Sequence, residues 1–140
     1  MSRAETGLLD TGTVILLPRL ADPSALPVHP MISAVTLAEL SVGPLVARTA
    51  AERAARQAHV QQAEADFEAL PFDAQAARAF GAVAASLHRS GRKAAARAYD
   101  AMIAAVAVAN GLPLFTCNPE DFEDIDGLAV VAVPHPDASR

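Results

Sequence analysis

Short apolar runs alternate with longer helical stretches along this chain. Four of the runs, at 7–10, 31–33, 114–116 and 128–133, have the length and apolar character of buried strands. Residues 14–17 continue the first run as a short helix or a second strand. Prolines at positions 18, 23, 27 and 30 then indicate a loop. The pattern predicts short strands that lie far apart in sequence.

The stretches between these runs favour helices. One is predicted from Ser33, as its N-cap, to Ser41, with Gly43-Pro44 ending it, and an alanine-rich one covers 49–70. A third follows Asp73, because apolar residues repeat there at intervals of four, three and four, at Ala76, Phe80, Val83 and Leu87. The fourth covers 94–110 and is closed by Asn110-Gly111, a typical left-handed C-cap.

Strands separated by helices predict an α/β sandwich with a mostly parallel sheet. In such sheets the carboxyl ends of the strands line the ligand crevice. Asp10 and the segment after Thr116 both stand at predicted strand ends. We expect a single domain over 1–140, with 134–140 as a loose tail.

Composition narrows the class of protein. Apolar residues make up 52% of the chain and aromatic residues only 4%, which favours closely packed helices around a small sheet. The single cysteine, Cys117, cannot form an intramolecular disulfide. The first ten residues have no apolar core of a signal peptide, and AMIAAVAVA is too short to span a bilayer. We expect a soluble cytoplasmic protein that does not enter the membrane.

The charges are unevenly distributed. A net charge of −5 argues against nonspecific binding of nucleic acid by the whole surface. However, the charged residues between positions 74 and 99 are all basic, and those between positions 118 and 126 are all acidic. A basic strip near an acidic site suits a polyanion, although charge alone favours the simpler explanation of a solvated helix face. The candidates for phosphate contacts are Arg92, Lys93 and Arg97, with pairing inside the acidic cluster as the alternative for Arg97.

Four acidic residues stand beside or within apolar runs: Asp10, Glu39, Asp100 and Asp121. Carboxylates that converge in a crevice repel one another unless a divalent cation lies between them. Mg²⁺ and Mn²⁺ prefer such oxygen ligands. The pattern therefore predicts a metal-dependent site that cleaves phosphodiester bonds.

Each carboxylate has a simpler explanation as well. Asp10 fits the N-cap of a following helix. Glu39 fits a capping box with Thr36, but it lies inside the helix if that helix starts at Ser33. A carboxylate inside the helix would need a partner or a metal. Asp121 is one of five acidic residues in its turn, most of which must simply be solvated.

Taken together and in order, these segments resemble the PIN domain, and in particular the VapC-type toxin ribonucleases. The resemblance is carried by LLDT near the start, SAVTLAEL about thirty residues later, DAMIAA, and LFTCNPEDFEDIDGL. It spans nearly the whole chain, and the last block is its most specific part.

The resemblance implies a Mg²⁺- or Mn²⁺-dependent endoribonuclease with a PIN-like three-layer sandwich. It also implies a homodimer, an RNA substrate and a VapB-like antitoxin that inhibits the enzyme. Asp10, Glu39 and Asp100 fall on the acidic metal-site positions, and either Asn118 or Asp121 fills the fourth. Thr11, Thr116 and Asn118 match polar positions that support the site.

Two other classes of function fit parts of this sequence, an aspartic protease and an inactive binding module. LLDTG also fits the start of an aspartic protease, but that fold needs a second such aspartate and a β-rich chain. A catalytically inactive module, whose acidic crevice only binds a basic partner segment or RNA, is the stronger alternative. The sequence has no phosphate-binding glycine loop and no zinc-type Cys/His spacing.

Overall fold

The computed structural model describes residues 5–93 and 97–137 as an α/β domain around one parallel sheet. The five strands are β1 (Thr6–Leu9), β2 (His29–Ser33), β3 (Ala69–Leu70), β4 (Leu114–Thr116) and β5 (Val130–Ala132). They are ordered β3-β2-β1-β4-β5, and every neighbouring pair is parallel. The predicted mostly parallel sheet is confirmed. Because β1 lies between β2 and β4, residues that follow β1 and β4 emerge side by side.

Five helices connect the strands: α1 (Thr11–Leu16), α2 (Ala34–Leu45), α3 (Ala50–Asp66), α4 (Ala74–Arg89) and α5 (Ala98–Ala109). Helices α1 to α4 each begin at a capping residue whose side chain accepts a hydrogen bond from a backbone N–H of the first turn. The capping residues are, in helix order, Asp10, Ser33, Thr49 and Asp73. These caps satisfy N–H groups that have no partner within the helix, so the sequence sets where the helices begin.

Helix α5 ends at the predicted left-handed turn. Gly111 has a φ of +63°, and the backbone N–H groups of Gly111 and Leu112 donate to Val108 and Ala107, respectively. This pair of hydrogen bonds is the Schellman motif, which favours glycine at the left-handed position. The turn directs the chain from α5 into β4.

The sheet separates two apolar clusters. Successive side chains of a strand point to opposite faces. Leu8 and Leu114 accordingly pack into a cluster with residues of α4 and α5, whereas Leu9 and Phe115 pack into a second cluster with residues of α1 and α3. The result is the predicted three-layer sandwich, with helices on both faces of the sheet.

Two predicted boundaries are wrong. The helix predicted over 49–70 ends at Asp66, because Phe67 is extended and Ala69–Leu70 pairs with the end of β2 as an edge strand. Helix α2 also continues through Pro44 to Leu45 instead of ending at Gly43-Pro44. Pro44 has no N–H to donate to the Leu40 carbonyl, but the helical hydrogen bonding continues beyond it, since the Val46 N–H donates to the Val42 carbonyl at 3.2 Å.

Parts of two predicted segments lie outside the described residues. The first is 94–96, where the last helix was predicted to start. At the end of the chain, Asp137 pairs with Arg19 at 2.5 Å, and 138–140 also lie outside the described residues. Within the described part of the chain, no helix has the length and apolar character needed to cross a membrane.

Candidate active site

Asp10 is the most buried of the four predicted carboxylates, with 4% of its surface exposed. It follows β1 directly and caps α1, accepting a hydrogen bond from the Thr13 backbone N–H at 3.3 Å. Its other carboxylate oxygen accepts from the Thr116 hydroxyl at 3.0 Å. Burial raises the pKa of Asp10, and the hydrogen bonds from Thr13 and Thr116 partly oppose that rise. Asp10 is therefore both the N-cap of α1 and a buried carboxylate that Thr13 and Thr116 hold by hydrogen bonds.

Two threonine hydroxyls tie the ends of β1 and β4 together at Asp10. The Thr13 hydroxyl donates to Asp10 and accepts from the Cys117 backbone N–H at 2.9 Å. The Thr116 hydroxyl donates to Asp10 and accepts from the Asn118 backbone N–H at 3.0 Å. Both threonines are fully buried. Each hydroxyl uses its donor and an acceptor, so the Asp10 carboxylate is held in one orientation.

Glu39 lies inside α2, because the helix begins after Ser33 and not at Thr36. The Thr11 hydroxyl donates to the Glu39 carboxylate at 2.6 Å, and it also lies 3.0 Å from the Thr36 hydroxyl. Partial burial raises the pKa of Glu39, the Thr11 hydrogen bond lowers it, and the charge of Asp10 raises it further. This contact places Glu39 beside the segment that follows β1.

Asp100 lies in the first turn of α5. Burial is the main cause that raises the pKa of Asp100 from 3.8 to about 6, and the charges of Asp121, Asp10 and Glu39 raise it further. The nearby cation of Arg97 opposes them. Like charges shift a pKa in this way only when they are close together. Asp100 therefore lies within electrostatic reach of the other three predicted carboxylates.

Asp121 and Asn118 belong to the turn after β4. Asp121 lies in a 3₁₀ helix over Pro119–Phe122, and its carboxylate accepts a hydrogen bond from Arg97 at 2.9 Å. Asn118 precedes that helix, and its side-chain amide lies close to Gly12, since a Cβ atom added there would be 3.7 Å from Asn118 Nδ2. Both candidates for the fourth position thus flank the crevice.

The carboxylates are the chemical type that binds a hard cation, since Mg²⁺ and Mn²⁺ prefer all-oxygen sites. Across residues 5–93 and 97–137, however, no three His, Cys, Asp or Glu side chains are grouped closely enough to hold a metal ion as they are placed. Glu39 is engaged by Thr11, and Asp121 by Arg97. The residues therefore fit such an ion in chemistry, whereas their present placement does not form a three-ligand site.

The arginines of the basic strip contact the acidic turn that follows β4. Arg97 pairs with Asp121, and Arg92 donates to the backbone carbonyl of Glu120 at 2.9 Å and lies 3.5 Å from the Glu123 carboxylate. Further along, Arg89 pairs with Asp126 at 2.6 Å. These arginines neutralise the acidic turn that follows β4, so Arg92 and Arg97 already have protein partners. Lys93 is exposed.

Two threonines of this network, Thr13 and Thr36, were not among the predicted site residues. Both carried a local signal. Thr13 stands three positions after the capping residue Asp10, and Thr36 stands three positions before Glu39 on the same helix. Residues three apart share a helix face, so a hydroxyl at that spacing is well placed to contact the site.

A family model described as the PIN domain matches residues 13–128. The chain belongs to the PIN-domain family.

Similarity to individual proteins assigns the chain to a narrower group within this family. The chain is 40% identical over 129 residues to Ribonuclease VapC5 of Mycobacterium tuberculosis, a match that covers 91% of this chain and 93% of that protein. The crystal structure of VapBC-5 from the same organism, a member of the VapBC family of toxin–antitoxin systems, superposes with a TM-score of 0.77 at 35% identity, covering 91% of this chain and 98% of that one. DNA-bound VapBC of Salmonella typhimurium gives a TM-score of 0.73 at 29% identity, covering 91% and 96%. Within the PIN domains, this chain is a VapC-type ribonuclease.

Proposed function

We propose that this protein is a metal-dependent endoribonuclease that acts as the toxin of a toxin–antitoxin pair. The observation that supports it most directly is that threonine and arginine contacts hold Asp10, Glu39 and Asp121 near Asp100. Burial, and after it the charges of these three carboxylates, raises the pKa of Asp100 to about 6. A stable fold rarely collects buried like charges without a use for them. Asp10, Glu39, Asp100 and Asp121 are the proposed catalytic residues, and they would hold Mg²⁺ or Mn²⁺.

Such an ion, when bound, would lower the pKa of a coordinated water and offset negative charge on the phosphate. The protein's own part is positioning. Thr13 and Thr116 fix the Asp10 carboxylate, and Thr11 fixes that of Glu39. In the ion pair between Arg97 and Asp121, the Asp121 carboxylate raises the pKa of Asp100 and the Arg97 guanidinium lowers it. Preorganised groups of this kind reduce the reorganisation that the reaction requires.

The proposed partner is a VapB-like antitoxin, and the proposed assembly is a homodimer. The support is the kinship with VapC5 and with proteins whose structures are of VapBC complexes. RNA and the antitoxin would both be met in the cytoplasm.

The test is cleavage of a pool of structured RNAs by antitoxin-free protein in Mg²⁺, in Mn²⁺ and in EDTA. We expect cutting with either metal and none in EDTA. Glu39→Gln should slow cutting by about a hundredfold, because a carboxylate that would hold the metal ion is lost. The matched control is Glu68→Gln, which makes the same change at an exposed position.

Cutting that persists in EDTA, or that Glu39→Gln and Glu68→Gln leave equally fast, would contradict the proposal. A folded protein that binds RNA but cuts nothing in either metal would favour the inactive binding module.

A further inference from the structure

The ion pair between Arg97 and Asp121 connects two elements that carry proposed metal-holding residues. Arg97 immediately precedes α5, three residues before Asp100, and Asp121 lies in the 3₁₀ helix after β4. Their charged atoms are 2.9 Å apart, and the two side chains are only 39% and 34% exposed. The pair is therefore partly shielded from water and joins the start of α5 to the acidic turn.

Helix stability does not explain an arginine at this position. A cation near the N-terminus of a helix is opposed by the helix dipole. The Arg97 side chain also makes no capping hydrogen bond with α5. Its hydrogen bond is with Asp121, and that contact, with the charges of Asp121 and Asp100, raises the pKa of Arg97. The acidic turn, and not the helix, thus accounts for the placement of Arg97.

The same contact engages the Asp121 carboxylate. Among the residues that the structure describes, no three metal-binding side chains are grouped closely enough to hold an ion. Asp121 is one of the carboxylates already in use, because its Oδ1 atom accepts a hydrogen bond from Arg97. A carboxylate paired with a guanidinium has its charge partly neutralised and fewer lone pairs free for a cation. Arg97 and a divalent ion would therefore compete for this carboxylate.

We propose that Arg97 is a positioning residue that keeps Asp121 away from the metal ion. While the pair is intact, Asp10, Glu39 and Asp100 are the carboxylates left to hold the ion, and the ion is bound more weakly. When the pair breaks, Asp121 becomes available as the fourth carboxylate. Arg97 thus determines whether three or four carboxylates serve the site. This inference rests on the proposed function and gives Arg97 a role other than a phosphate contact.

Calorimetric titration of the metal-free protein with Mn²⁺ at low salt tests this role without depending on RNA cutting. We expect Arg97→Gln to lower the Kd for Mn²⁺ about fivefold, since one unit charge at contact distance changes an equilibrium in water by about that factor. Arg89→Gln is the matched control, because Arg89 pairs with Asp126 of the same acidic segment, and Asp126 is not a proposed ligand. That control should change the Kd by less than about twofold, because exposed ion pairs contribute little.

The same substitution in an Asp121→Asn background separates competition from simple charge repulsion. If Arg97 acts through Asp121, Arg97→Gln should lower the Kd there by less than about twofold, because no carboxylate remains to be released. An equal or larger gain in that background would overturn the inference, since the guanidinium would then only repel the ion. An unchanged or higher Kd in Arg97→Gln alone would also overturn it, because Arg97 would not be withholding Asp121 from the ion.

The two proposals fail in different ways. If the wild type binds Mn²⁺ but cuts no RNA, the ribonuclease proposal fails, and the Kd values still decide the role of Arg97. If the wild type cuts RNA with metal but Arg97→Gln gains no affinity for Mn²⁺, the role of Arg97 alone fails. Absence of Mn²⁺ binding by the folded wild type would contradict both.

Discussion

Replacing Asp100 by asparagine should stabilise the metal-free protein. The change keeps the shape of the side chain and removes its charge. Burial and the neighbouring carboxylates raise the pKa of Asp100 from 3.8 to about 6. The folded protein therefore binds the Asp100 proton more tightly than the unfolded chain does, and ionisation of Asp100 opposes folding.

The magnitude follows from the size of that rise. A pKa higher by about 2.2 corresponds to about 3 kcal/mol at 1.36 kcal/mol for each pH unit. Because Asp100 is only half-buried, solvent screening reduces the figure, and we expect Asp100→Asn to gain about 1–1.5 kcal/mol at pH 7.5. The penalty is absent below the unfolded pKa of 3.8 and grows as the pH rises through about 6. Near pH 4 the variant and the wild type should thus be nearly equal in stability.

Urea denaturation in EDTA at pH 7.5 and at pH 4 measures the difference. Asp66→Asn, at an exposed position on α3, is the matched control and should show no such pH dependence. In Mg²⁺ the wild type should gain stability and Asp100→Asn should gain much less. A variant that is less stable than the wild type at pH 7.5 in EDTA would refute the reasoning, because the Asp100 charge would then favour folding.

Three further substitutions test the structure around the site. Thr116→Val should cost about 1–3 kcal/mol in urea denaturation and weaken Mn²⁺ binding in calorimetry about tenfold, because the hydroxyl contacts Asp10 and a backbone N–H at 3.0 Å each. Unchanged Mn²⁺ affinity would contradict that role. Gly7→Ala should lower stability by about 1–3 kcal/mol, since its Cβ would lie 2.4 Å from the Phe115 ring. Gly111→Ala should cost about 1 kcal/mol, because φ there is +63°. Urea midpoints equal to that of the wild type would contradict either glycine prediction.

Much of the fold could be predicted from local patterns. The cap at Ser33 and the left-handed turn at Gly111 depend on residues within a few positions of one another, and the structure contains both. The strand Ala69–Leu70 was missed because two residues carry no period of their own. Its pairing with Ile32–Ser33 is a contact between distant parts of the chain.

The candidate site could also be predicted only in part: its acidic residues could be found from the sequence, but not all of the contacts around them. The four carboxylates stood out because each interrupts an apolar run, and the parallel sheet explains why the ends of β1 and β4 meet. Pairing of Arg97 within the acidic cluster was one of its two predicted roles, and the structure contains that pair. The partners of Arg92 could not be predicted, because they depend on how the segment after α4 packs against the turn after β4. Charge runs in a sequence show where charge is abundant and not which charges pair.

The measurement that tests the central claim most directly is a crystal of this protein soaked in Mn²⁺, with the ion located by its anomalous scattering. The account predicts a peak bound by carboxylate oxygens of Asp10 and Asp100, and its loss in an Asp100→Asn crystal. A peak only at other residues, or none from a preparation that cuts RNA, would contradict a metal-dependent site built on these carboxylates.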